Sequence, residues 1–124
     1  MLVIYLALAV VGSIGIWYAG EPDAARASEQ ISTYMVLYEP GPVWRKGIAP
    51  VRQPGGHEHR AYVQRLFGEG VIRSAGPLDD GGSLMVIRAP DETAARAIID
   101  ADPAVSSGIL VPAMVRRWEP RRRH

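Results

Sequence analysis

From residue 33 onward the chain switches repeatedly between two hydrophobic periods, and the switches mark its elements. "TYMVLYE" at 33–39 is a short apolar, aromatic-rich run that predicts a strand, stopped by "PGP" at 40–42. "VWRKGIAPVRQPGG" at 43–56 holds two prolines and three glycines and reads as a long loop, a length that in a small domain tends to carry function or motion. Beyond it His59, Tyr62, Val63, Leu66 and Phe67 fall in the i, i+3, i+4, i+7, i+8 series of one helix face, which Gly70 then ends. "VIRSA" at 71–75 and "SLMVIRA" at 83–89 predict two strands joined through the turn "GPLDDGG", and Pro90 stops the second. Asp79 and Asp80 in that turn are read as solvated turn formers.

Asp91 is placed to cap a second helix with Ala94, Ala95, Ile98 and Ile99 on one face, closed at "DADP" because Pro103 disfavours helical geometry at Asp102. "GILVPAMVRRW" gives a last strand, where Pro112 lacks a ladder donor and so calls for a sheet edge or a bulge. The order β-α-β-β-α-β is the split pattern of an α+β, ferredoxin-like sandwich. Two helices on one face of a four-stranded sheet leave the other face apolar and bare, so a homodimer through the sheet faces is expected.

The first twenty residues follow a different pattern. Residues 1–20 carry no charged side chain and are just long enough, at about 1.5 Å per residue, to cross a bilayer core as a helix. Three readings stand: an export signal cleaved after "ARA" at 25–27, an uncleaved membrane anchor, or translation from Met35 in the cytoplasm. Residues 21–32 read as a linker or cleaved segment, 33–119 as the folded domain and 120–124 as a basic tail. With 124 residues there is room for one domain, and a core unit of about 90 residues is small for a private active-site cavity, another reason to expect a partner subunit.

Composition excludes several classes. Fourteen Lys and Arg against thirteen Asp and Glu give a net charge of +1, so no global field draws the chain to nucleic acid, and the basic run "RRWEPRRRH" reads as a solvated terminus. The absence of cysteine removes disulfides, thiolate catalysis and zinc-thiolate sites. The glycine-rich stretches lack the spacing of a phosphate loop or dinucleotide motif.

Candidate chemistry rests on one histidine and one aspartate. His57 and His59 point roughly 200° apart around a helix, so they cannot chelate one ion; His57 falls on the polar side and His59 on the apolar stripe. Asp102 stands four residues after Ile98 and three after Ile99, continuing the second helix's apolar stripe at a negative helix end, where a carboxylate needs compensation. An imidazolium at His59 would supply it, and the couple facing a cavity would make a general acid/base unit. Alternatively His59 is a satisfied core histidine and Asp102 accepts backbone N–H bonds from beyond Pro103. Trp44, Arg45 and Tyr62 are candidate substrate contacts, with Trp44 and Arg45 covering a pocket beside His59 or else anchoring the loop.

"YMVLYEPGPVW", "EHRAYVQRLFGEGVIRSAGPLDD", "GSLMVIRAPDETAARAIIDADPAVSSGI" and the closing "RRW" resemble the YciI-like (YCII-related) proteins of the dimeric α+β barrel superfamily, over residues 34 to about 118. The most specific pieces are His59 eighteen residues ahead of Pro77 in "AGP", and "ADP" at 101–103 followed by Gly108. The resemblance implies a ferredoxin-like protomer that pairs sheet to sheet and a site built on His59 and Asp102. Its relatives include muconolactone isomerases and dehydrochlorinases, which implies proton transfer or HCl elimination on a small organic substrate without cofactor or metal. The apolar N-terminal segment lies outside the family pattern, and "VRRW" stands where a histidine or lysine and a proline are expected before the tryptophan. A non-catalytic dimeric domain, exported or tethered, that binds a small ligand or merely assembles is the competing expectation.

N-terminal sequencing of the mature chain from fractionated cells separates the three readings of the first segment. A start near Ser28 in the exported soluble fraction supports cleavage, an intact Met1 in membranes supports an anchor, and Met35 in the cytosol overturns both.

Overall fold

The structure is a computed structural model that describes residues 30–123; the readings made for residues 1–29 lie outside it. Strand β1 (Ser32–Pro40) is followed by a 3-10 turn (Pro50–Arg52), helix α1 (Gly56–Gly68), strands β2 (Ile72–Pro77) and β3 (Ser83–Ala89), helix α2 (Glu92–Asp100), a single-turn helix α3 (Pro103–Ser106) and strand β4 (Leu110–Arg117). The sheet is antiparallel throughout in the order β2-β3-β1-β4, so the two strands first and third in the chain lie at its centre. This is the ferredoxin-like α+β fold that the alternating periods predict. Among the described residues no helix is long and apolar enough to cross a membrane.

Alternation along the strands decides which side chains meet. Tyr34, Val36 and Tyr38 on β1 pair across from Ile87, Met85 and Ser83 on β3. All three face the helices, as do Met85, Ile87 and Ala89, and there they pack on Leu66 of α1, Ala95 and Ile99 of α2, Ala104 of α3, and Ile109 and Leu110. Removing these side chains from water is the main drive to fold, worth about 1.5–3 kcal/mol for each large one. The intervening residues form the other face: Met35 pairs with Val86, and Leu37 with both Leu84 and Met114. That face is a row of apolar side chains, Val86 buried and the others half-buried, with no helix of the described residues over it.

The caps and breaks that the pattern predicts are present with small shifts, each with a cause. Asp91 caps α2 by accepting the Ala94 N–H at 2.8 Å. Pro112 lies on the edge strand, and the β1–β4 register slips between Leu37 and Tyr38, so edge and bulge occur together. β2 runs past 75 to Pro77 because the turn is tighter than "GPLDDGG" suggests: Leu78 N–H donates to Gly82 at 2.7 Å, leaving Gly76 and Pro77 free to pair with Leu84 and Ser83. Helix α1 stops at Gly68, and Gly70 follows with φ +74°.

The loop 43–56 is less loose than its prolines and glycines imply. Gln53, 3 % exposed, accepts the Arg45 N–H at 2.8 Å and donates from Nε2 to the carbonyls of Arg45 at 2.7 Å and Ile48 at 2.9 Å. One buried amide therefore closes the loop on itself through three bonds. The loop then enters α1 at Gly56, where an added Cβ would meet the carbonyl oxygens of Pro50 and Val51.

The two glycines at the ends of α1 thus behave oppositely on substitution. Gly56→Ala is expected to destabilise by about 1–3 kcal/mol through this clash, whereas Gly68→Ala, with nothing within 4 Å of the added methyl, stabilises by up to about 1 kcal/mol. Urea unfolding of both variants measures the difference.

Candidate functional site

Asp102 does not continue the stripe of α2. That helix ends at Asp100, and Asp102 leaves it with φ −69° and ψ 124° to become the N-cap of α3, with Pro103 at the first helical position. The proline explains the break: its ring forbids helical geometry at the preceding residue while fitting the start of the next helix. Asp102 thus sits at the positive end of α3 rather than at a negative one. Its side chain is 1 % exposed, and Oδ1 accepts the Ala104 N–H at 2.9 Å.

The same oxygen lies 2.7 Å from His59 Nδ1. One atom therefore both caps a helix and contacts the imidazole. His59 reaches it from the first turn of α1, where its backbone N–H bonds Gly55 at 3.0 Å. In the neutral ring this contact places the proton on Nδ1 and leaves Nε2 as the lone-pair nitrogen. His57, two residues earlier, is exposed on the far side of the helix.

His59 is 21 % exposed and forms part of the wall of an open cavity of about 270 Å³. Trp44, Pro50 and Val51 enclose it from the loop, His59, Arg60, Val63 and Phe67 from α1, and Ala75, Gly76, Pro77 and Met85 from β2 and β3, with Ile109 and Leu110 also in the wall. The lining is largely apolar, and among the described residues its only charged or titratable side chains are His59 and Arg60. Trp44 is held against the β2–β3 turn, where Gly81 leaves room for the indole.

Of the sequence-derived candidates, the fold brings His59, Asp102 and Trp44 together and redirects two others. Arg45 is exposed and absent from the cavity wall, because Gln53 ties its backbone into the loop and turns its side chain loose. Tyr62 also stands outside the cavity: its hydroxyl donates to the Ile98 carbonyl at 2.6 Å, latching α1 to α2, and Arg65 lies 5.4 Å from its ring centre. Burial, then the Asp102 charge, pushes the Tyr62 hydroxyl above its ordinary range.

Arg60 escaped the sequence reading. Helical periodicity groups it with the polar positions His57 and Gln64, yet it stands three and seven residues before Val63 and Phe67. The inward surface of α1 is split in two, with Leu66 buried in the core and Val63 and Phe67 turned to the cavity, which leaves Phe67 43 % exposed.

Because Asp102 does two jobs, its variants separate them. Asp102→Ala loses cap and imidazole contact and is expected to cost about 2–4 kcal/mol. Asp102→Asn keeps an oxygen for the cap and costs about half as much. Equilibrium urea unfolding reads both.

The model of the YCII-related domain matches residues 32–119. Among solved structures the chain is similar to 5-chloro-2-hydroxyhydroquinone dehydrochlorinase from Burkholderia phenoliruptrix AC1100, determined in complex with 2,5-dihydroxybenzoquinone, with a TM-score of 0.52. The identity is 24 %, over 69 % of this chain and 93 % of that one, a likeness of fold. No curated protein matches the sequence. A match that runs through the whole described sheet and both faces of the His59–Asp102 contact makes this chain a member of the YCII-related domain family.

Proposed function

We propose that the protein is a cofactor-independent enzyme of lyase or isomerase type, in which His59 moves a proton on a small, largely apolar organic substrate. One observation carries the reading: an imidazole bonded through Nδ1 to a buried carboxylate at 2.7 Å forms part of the wall of an open apolar cavity. The carboxylate orients the ring and stabilises the imidazolium formed when Nε2 accepts a proton. The cavity is at the small end of ligand sites, which are typically about 300–1,000 Å³, and its walls favour a single ring with few polar groups.

The proton balance is simple. Nε2 takes a proton from an activated C–H or O–H, and the freed electron pair makes a new π bond. In an isomerisation the imidazolium returns that proton to another carbon of the same molecule. In an elimination chloride leaves with the C–Cl electron pair, the imidazolium passes its proton to water, and the net loss is HCl. Negative charge that builds on a substrate oxygen meets the Arg60 guanidinium, the one fixed charge that the described residues place in the wall.

The dehydrochlorinase of the same fold supports this class of chemistry, since it was determined with a dihydroxylated quinone bound. The apolar row of Met35, Leu37, Leu84, Val86 and Met114 supports a homodimer closed sheet to sheet. Residues 1–20 are read as exporting or tethering this dimer.

The test uses purified protein with 5-chloro-2-hydroxyhydroquinone as probe, following chloride release and solvent deuterium uptake, on a sample whose mass is read by light scattering. The expected results are a dimer, turnover by the native chain, and a loss of about 10²–10⁴-fold in His59→Ala. A native chain that neither releases chloride nor exchanges deuterium faster than His59→Ala overturns the enzymatic reading in favour of a binding module.

A further inference from the structure

Two buried polar atoms near the site have no hydrogen-bond partner among the described residues: the Tyr38 hydroxyl and Asp102 Oδ2. Their needs are complementary. Oδ2 belongs to a carboxylate whose other oxygen already takes the His59 and Ala104 N–H groups, and an ionised carboxylate only accepts. Tyr38 is 1 % exposed at the helix-facing surface of β1, and its hydroxyl can donate. A buried polar group left unpaired is costly, and these two have matching roles in one small core.

The charge environment agrees with the geometry. Burial first, and then the Asp102 carboxylate, raise the Tyr38 hydroxyl far above its ordinary value, with Tyr62 and Asp100 contributing less. Asp102 is thus the strongest charge that this hydroxyl feels. A hydroxyl raised in this way stays protonated at neutral pH, so Tyr38 can act as a donor.

Building on the His59–Asp102 reading, we infer that Tyr38 is a positioning residue of the site, donating its hydroxyl to Asp102 Oδ2 directly or through one internal water, so that Tyr38, Asp102 and His59 form a three-member chain from strand to cavity. Tyr38 touches no substrate, since it is absent from the cavity wall. It acts by sharing the carboxylate's charge. A donor on Oδ2 weakens the pull of Oδ1 on the imidazole and keeps His59 able to release the proton it has taken. It also fixes the carboxylate's second oxygen, which the cap and the imidazole leave free to swing.

NMR titration of the three histidines in the full-length protein tests this, with His57 and His124 as references in the same spectrum. Tyr38→Phe keeps the ring and removes the donor. The His59 midpoint is expected to move up by more than the reference midpoints do, because the carboxylate then presents its full charge to the ring. Asp102→Asn is expected to move the same midpoint down. A His59 midpoint in Tyr38→Phe equal to that of the native chain overturns the inference, since a packing role alone would not couple to it. If Asp102→Asn also leaves the midpoint in place, the His59–Asp102 pair itself fails, which is a separate result. A second measurement needs no variant: in the native protein the Tyr38 hydroxyl proton should appear as a resolved, slowly exchanging resonance, and its absence counts equally against the inference.

Discussion

A single carboxylate oxygen, Asp102 Oδ1, ties two helices of this domain together. It ends α3 by accepting the Ala104 N–H and holds the His59 ring from the opposite helix. A buried charge is tolerated only when its lone pairs are occupied, and here the occupants come from two elements 43 residues apart. The break after α2 that Pro103 imposes is what aims the carboxylate. A helix continued through 102 would have presented it to the negative end of its own peptide dipoles and far less directly to α1.

The cavity depends on a second, quieter device. Residues 43–56 have the composition of a mobile segment, yet Gln53 satisfies three backbone groups from the inside, and Gly56 lets the loop run directly under the first turn of α1. The wall formed by Trp44, Pro50 and Val51 is therefore pinned at both ends to the element that carries His59. Apolar walls of this kind lower the local dielectric, so the charge on His59 or Arg60 acts over a longer range than it would in water.

Much of this was readable before any coordinates. Element order followed from period changes and from prolines and glycines, because a period of two and a period of 3.6 cannot both suit one backbone. Pro112 announced an edge with a bulge, and Asp91 announced a cap, since each has a local cause. What stayed hidden was non-local. Arg60 shares a period with solvent-facing residues and is cavity-lining only because the loop and the β2–β3 hairpin bring a third surface against α1. Arg45 and Tyr62 look like contacts beside His59 in one dimension, but Gln53 and the Ile98 carbonyl claim their neighbourhoods in three. Gln53 and Tyr38 carry no sequence signal at all: a glutamine in a loop and an aromatic in a strand are ordinary until their polar atoms are found buried.

The interrupted ladder at Pro112 has a consequence for how copies of this domain can meet. β4 is one of the two outer strands, and it carries both a proline and a register slip, two devices that blunt an exposed sheet edge. Strand-by-strand growth along that rim is thereby discouraged. In the proposed sheet-to-sheet pair, by contrast, a two-fold contact would consume the whole apolar patch and stop, giving a closed pair rather than an open-ended fibre.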